Sequence, residues 1–133
     1  ALYCEEMMSE EGFYDRPEAG LFHQLYLLWR AARIVLDVRL HTMGMPVHEA
    51  VTYLADLLGI PRASAEAEVR RYCVAPGSQL CYAVGRRELL RLRDDYRARA
   101  GASFSLRQFH DDVLGYGGLP VALMRWGMGL GDR

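Results

Sequence analysis

The sequence predicts an all-α fold, a multi-helix array with one long central helix, and three observations predict it. Apolar residues recur at three- and four-residue spacing rather than in alternation. Glycine and proline fall where such segments end and begin, and no stretch reads as a strand. The 133 residues are 51% hydrophobic and 25% charged, a globular balance that argues against disorder or a disulfide scaffold and fits one domain over 1–133.

The first segment, Ala1 to about Glu11, sets Leu2, Cys4, Met7 and Met8 among acids and stops at Gly12, a residue suited to the left-handed position after a helix. It opens with neither an initiator Met nor a capping residue, as though inside a helix, so a piece of something longer is expected. After the turn Phe13-Tyr14-Asp15-Arg16, Pro17 suits a first helical turn, and the pattern then runs unbroken to about Thr42. Leu21, Leu25, Leu28, Ala32, Val35 and Leu36 make one apolar face, which Phe22, Tyr26, Trp29 and Leu40 widen. A helix apolar on so many sides is expected at the centre of its domain, with neighbours on several faces.

Gly44 ends that helix and Pro46 begins the next, with Val47, Val51, Leu54, Leu57 and Leu58 on the expected buried side as far as Gly59. The two form an αα-hairpin. Ser64 is the expected cap of a fourth helix to about Cys73, with Glu66 and Glu68 in its first turn and Arg70 and Arg71 in its last. Pro76-Gly77 then breaks the chain. A fifth helix follows from about Gln79 to Ala100, with Gly85 inside it and Leu89, Leu90, Leu92 and Tyr96 as contacts; its arginines, Arg86 to Arg99, interleave with acids and read as a solvated face. Ser105-Leu106-Arg107-Gln108 has the form of a capping box opening a helix to Leu114. Pro120 starts a last turn or two carrying Leu123 and Trp126, and the glycine-rich tail from Gly127 to Arg133 is expected to fray.

Charge and composition exclude several chemistries. Sixteen basic against seventeen acidic residues leave a net charge of −1, short of a nucleic-acid binder, so no nucleic acid is expected as partner. Every basic residue is Arg, which removes lysine Schiff-base chemistry and the P-loop lysine. Cys4, Cys73 and Cys81 have neither disulfide nor zinc-thiolate spacing and suit a reducing compartment, making the cytoplasm the default location. No apolar run is long enough to span a membrane.

The only His-Glu pair, His48-Glu49-Ala50-Val51-Thr52, has Thr where a zincin needs its second His, so no self-contained metal site is expected. Arg33, Asp37 and His41 recur every fourth residue and share a helical strip on which Arg33 can pair with Asp37, and Asp37 can fix the His41 tautomer. That strip is either a salt-bridged surface or the polar wall of a cleft, and burial decides between them. Tyr82, just after the Pro-Gly break, sits in the first turn or so of its helix. Gly85 leaves the adjacent face open, so Tyr82 is either a boundary tyrosine or a hydroxyl presented to a ligand or oxyanion.

Several segments together carry a resemblance. Ala1-Leu2-Tyr3-Cys4-Glu5 resembles the end of the signature EGWALYAE, and Trp29-Arg30-Ala31-Ala32-Arg33 with Asp37 and His41 resembles the helix RAARLVVDTGLH. Tyr72, Pro76-Gly77, Tyr82 and Gly85 resemble RYxxxPGQALSYxxG; Phe109-His110-Asp111, Leu114 and Gly118-Leu119-Pro120 resemble FHDxVLxxGxLP. These belong to a large bacterial domain family of unknown function, similar to the gluzincin zinc metallopeptidases that include angiotensin-converting enzyme and thermostable carboxypeptidases. The resemblance implies the C-terminal part of a larger helical metallopeptidase-like domain. Its HExxH motif would lie upstream, and its third zinc ligand, the Glu of EGW, immediately before Ala1.

This chain would then hold no cofactor, with zinc in the parent, and would be inactive alone. By the resemblance, Tyr82 matches the tyrosine that hydrogen-bonds the tetrahedral oxyanion, Arg33 and His41 would bind peptide substrate, and Asp37 and Gly85 would support them. Cys81 departs from the usual Ser before Tyr82, and Arg39 from a small residue between Asp37 and His41. The remainder of the parent catalytic domain is the implied partner, and export of that parent stays open. The alternative is a non-enzymatic helical module that self-associates into a homo-oligomer through exposed apolar surface.

Overall fold

The computed structural model describes residues 1–131; the last two residues of the expected frayed tail, Asp132 and Arg133, lie outside them. Among the described residues there are seven α-helices, one 3-10 turn and no strand: α1 (Leu2–Glu10), α2 (Pro17–Thr42), α3 (Val47–Leu58), α4 (Arg62–Cys73), α5 (Leu80–Ala100), the 3-10 turn Gly101–Ser103, α6 (Leu106–Gly115) and α7 (Val121–Gly127). They fall into two compact units, Ala1–Val84 and Gly85–Arg133.

In the first unit, α1 ends in a Schellman arrangement. Gly12 takes a φ of +72°, its N–H reaches the Ser9 carbonyl at 3.1 Å, and the Phe13 N–H reaches Met8 at 2.9 Å. The core is the junction of α2, α3 and α4, built from Ala32 and Leu36, from Ala50, Val51, Leu54 and Leu58, and from Ala65, Val69 and Tyr72. The hairpin of α2 and α3 is as expected.

Three expectations need correction here. The long helix is not enclosed: Leu21 is 72% exposed and Phe22 59%, with Leu25, Tyr26 and Leu28 also exposed, because the α3 and α4 core is built on its C-terminal half. Val47 and Leu57 are exposed rather than buried, the inward positions of α3 being Ala50, Val51, Leu54 and Leu58. Ser64 is no cap. Pro61 leads into the helix with extended backbone and its carbonyl accepts from Ser64 and Ala65, so Ser64 lies inside the first turn and the two glutamates beyond it.

In the second unit the buried residues are Leu92, Arg93, Phe109, Met124 and Met128. Tyr96 packs edge-on against Phe104 and Phe109, at 6.3 and 5.4 Å between ring centroids, and its hydroxyl donates to Asp112 at 2.7 Å. Ser105 caps α6 by accepting from the Gln108 N–H at 3.2 Å. The box is only half formed, since the Gln108 side chain turns forward to Asp112 at 2.8 Å. Arg93 is buried, so the arginine face of α5 is not uniformly solvated. Leu123 and Trp126 point outward while Met124 faces in, and the chain after α7 is tied down rather than frayed through Leu130, with Met128 buried and its carbonyl accepting from Arg99.

Candidate functional site

Two helices carry polar side chains at four-residue spacing, which stacks them along one strip of each helix. α2 supplies Trp29, Arg33, Asp37 and His41, and α4 supplies Glu68 and Tyr72 with Arg71 beside them. Where the strips meet, the buried Tyr72 is the hub. Its hydroxyl accepts from Trp29 Nε1 at 3.2 Å and Arg33 Nε at 3.1 Å, and donates to Glu68 Oε2 at 2.8 Å. One donor and two acceptor positions are all a phenol has, so Tyr72 is fully engaged.

Glu68 Oε2 also accepts from Arg71 at 2.6 Å and Arg33 at 3.3 Å. Burial pushes the Glu68 carboxyl up. The hydrogen bonds from Arg71 and Tyr72, with the charges of Arg71 and Arg33, outweigh burial and hold it below its ordinary value. Burial, the largest cause, pushes the Tyr72 phenol above its ordinary value, and its hydrogen bond to the Glu68 carboxylate adds to that. The expected Arg33–Asp37 pair is therefore not formed. Both lie on α2, but the partners Arg33 finds come from α4.

Asp37 is buried and serves the loop before α5. Its Oδ1 accepts from the Gly77 N–H at 3.1 Å and lies 3.4 Å from His41 Nε2. Gly77 has a φ of +78°, a conformation that favours glycine, so the Pro-Gly break offers an N–H that a carboxylate on the long helix can hold. His41 Nε2 is also 3.2 Å from the Tyr72 carbonyl. Two acceptors facing Nε2 make it the protonated ring nitrogen, the tautomer role expected of Asp37. The strip is thus half-buried: the Asp37 side chain is 1% exposed and that of His41 25%.

Tyr82 lies in the first turn of α5, 38% exposed. Its ring centre is 5.9 Å from the Arg33 guanidinium and 6.0 Å from that of Arg30, at the limit of cation–π reach. Among the described residues no hydrogen bond engages its hydroxyl. Arg30 is held by both Glu5 oxygens, at 3.0 and 2.8 Å, which ties α1 to α2. The structure thus brings Arg33 and Tyr82 together and places Asp37 and His41 farther along α2, under the loop that leads to Tyr82. Gly85, which opens the second unit, has nothing within 4 Å of where a Cβ would stand.

The departures from the family pattern are accommodated. The Arg39 guanidinium lies 5.9 Å over the Tyr53 ring of α3, and Cys81 Sγ donates to the Ser78 carbonyl at 2.8 Å. Sequence spacing missed Tyr72, Glu68, Trp29, Arg30 and Glu5. The signals available were Trp29 four residues before Arg33, Glu68 and Tyr72 four apart with Arg71 between them, and the quoted family motifs that hold Glu5, Trp29, Arg30 and Tyr72. Among the described residues no three His, Cys, Asp or Glu side chains converge as a metal site. On α3, the Thr52 that stands in the zincin position bonds the His48 carbonyl at 3.0 Å.

A family profile for bacterial proteins of unknown function, DUF885, matches residues 1–128. The solved "putative lipoprotein from Colwellia psychrerythraea" is 35% identical over 92% of this chain, with a TM-score of 0.86. The "putative lipoprotein of unknown function from Shewanella oneidensis" is 33% identical over 96% of it, with a TM-score of 0.85. The chain spans only 21% and 23% of those two proteins. No curated protein matches it significantly. No helix among the described residues is long and apolar enough to cross a membrane.

Proposed function

From the premise that this chain belongs to the DUF885 family, we propose that it is the substrate-side segment of a zinc-dependent peptidase, supplying binding and oxyanion-stabilising groups to a longer catalytic domain. The observation that carries the reading is the exposed Tyr82, with no hydrogen bond on its hydroxyl and its ring flanked by Arg30 and Arg33. A phenol hydroxyl beside two guanidiniums is suited to donate to an oxygen on which negative charge develops.

Arg33 is held by Tyr72 and Glu68 through Nε and one Nη, which leaves its other Nη to meet a peptide carbonyl or carboxylate without losing position. Asp37 and His41 are positioning residues: Asp37 holds the Gly77 N–H in the loop before α5, and His41 the Tyr72 carbonyl near the end of α4. Zinc chemistry falls to residues outside this chain. The lipoprotein names of both neighbours favour an exported parent over the cytoplasmic location suggested by unpaired cysteines.

The test is the native protein. Its intact mass and the coding sequence before Ala1 should show a longer chain with HExxH and a Glu-Gly-Trp, and the purified protein should hold zinc and hydrolyse peptides. A native protein without HExxH, or one that binds no zinc and cleaves no peptide, refutes the reading.

The exposed apolar positions of α2 favour a second reading, a helical module that self-associates through that face. A clean monomer at high concentration in sedimentation velocity excludes it.

A further inference from the structure

Arg30 also lines a cleft of about 440 Å³, together with Glu5, Tyr14, Phe22, His23 and Tyr26, with Ala19 at its wall. Its size falls within the range of small-ligand sites. Its rim is aromatic. Tyr14 and His23 lie 6.1 Å apart at 32°, and Tyr26 stacks on Trp29 at 6.3 Å and 12°. The two fixed charges are already paired, since both Glu5 oxygens take Arg30, and His23 Nδ1 lies 4.0 Å from the same carboxylate.

An aromatic-lined cleft whose fixed charges cancel favours an uncharged, flat, apolar group over a charged one, because a charge seated there would give up part of its water without gaining a free counter-ion. The Arg30 guanidinium lies 5.6 Å from the Tyr26 ring and 6.0 Å from the Tyr82 ring, so cleft and phenol share one arginine. A peptide reaching from one ring to the other needs no more than about four residues of extended chain at ~3.3 Å each.

We propose that this cleft is a subsite for an uncharged aromatic side chain of a peptide, within a few residues of the group that Tyr82 contacts. The inference rests on the peptide reading above, and its test involves no turnover, so the two fail separately.

Tyr26 stacks on Trp29, so Trp29 emission reports occupancy, and Trp126→Phe removes the exposed competing indole. N-acetyl-L-phenylalaninamide titrated into that variant should shift the emission saturably at millimolar concentration. N-acetyl-L-alaninamide and N-acetyl-L-lysinamide should each bind at least about tenfold more weakly. Phe22→Ala, at an exposed position that leaves folding intact, should weaken the aromatic amide several-fold. Ala19→Leu, which fills the cleft from its wall, should abolish binding, with melting temperatures confirming that both variants fold. Absence of saturation, equal affinity for the lysine amide, or unchanged affinity in both variants overturns the subsite. Saturable binding that follows these expectations alongside a native protein that cleaves no peptide leaves the subsite standing and removes only the peptidase reading.

Discussion

The two halves of α2 are alike in sequence and opposite in environment. From Ala32 to Thr42 the helix meets α3 and α4, with Leu36 at 0% exposure and Asp37 at 2%. From Pro17 to Ala31 it carries at least as many large apolar side chains, yet Leu21 and Phe22 are mostly exposed. Apolar periodicity states which residues seek burial. It does not state whether the partner that buries them lies within the same stretch of chain.

The comparison can be broken most forcefully at Leu36. Leu36→Ala opens a cavity in a fully buried site and should cost about 2–5 kcal/mol, whereas Leu21→Ala should lie within about 0.5 kcal/mol of the parent. Urea midpoints for the pair measure the contrast, and equal losses would mean that both halves are packed alike.

Next is Asp37→Ala, which leaves the Gly77 N–H without its acceptor and should cost about 1–3 kcal/mol, read in the same denaturation experiment. A negligible loss would show that the loop before α5 is held by something other than this carboxylate.

A smaller effect is expected of Glu68. Its folded pKa lies below the ordinary glutamate value, so its contribution to stability is complete above that value. It is lost as the pH falls from the ordinary value through the lower folded one. Glu68→Gln should lower stability at neutral pH, differ least from the parent below that window, and so flatten the acid limb. Melting temperature against pH checks it.

The smallest effect on folding is expected on the exposed half. Phe22→Ser should leave stability nearly unchanged yet lower any concentration-dependent association, measured by sedimentation velocity.

What the sequence made legible follows the same division. Helix limits marked by backbone chemistry were readable: Pro17 and Pro46 at helix starts, Gly12, Gly44, Gly59 and Gly101 after helix ends, and Ser105 as a cap. Ser64 misled because a good capping residue three positions beyond a proline competes with the proline itself, and Pro61 fixed the start first. At the site, the i, i+4 strip of Arg33, Asp37 and His41 was visible, as was Tyr82 after its Pro-Gly break. The partners were not. Arg33 engages Tyr72 and Glu68 on α4, and spacing along one helix carries no information about what a second helix brings to it. The aromatic cleft was hidden for the same reason, being assembled from α1, the loop after it and α2.

The central claim is that Tyr82 donates to a developing oxyanion, and Tyr82→Phe in the native-length protein tests it most directly. The account predicts that kcat for peptide hydrolysis falls by about 10²–10³-fold, with zinc content and melting temperature unchanged. Turnover equal to that of the parent would contradict it.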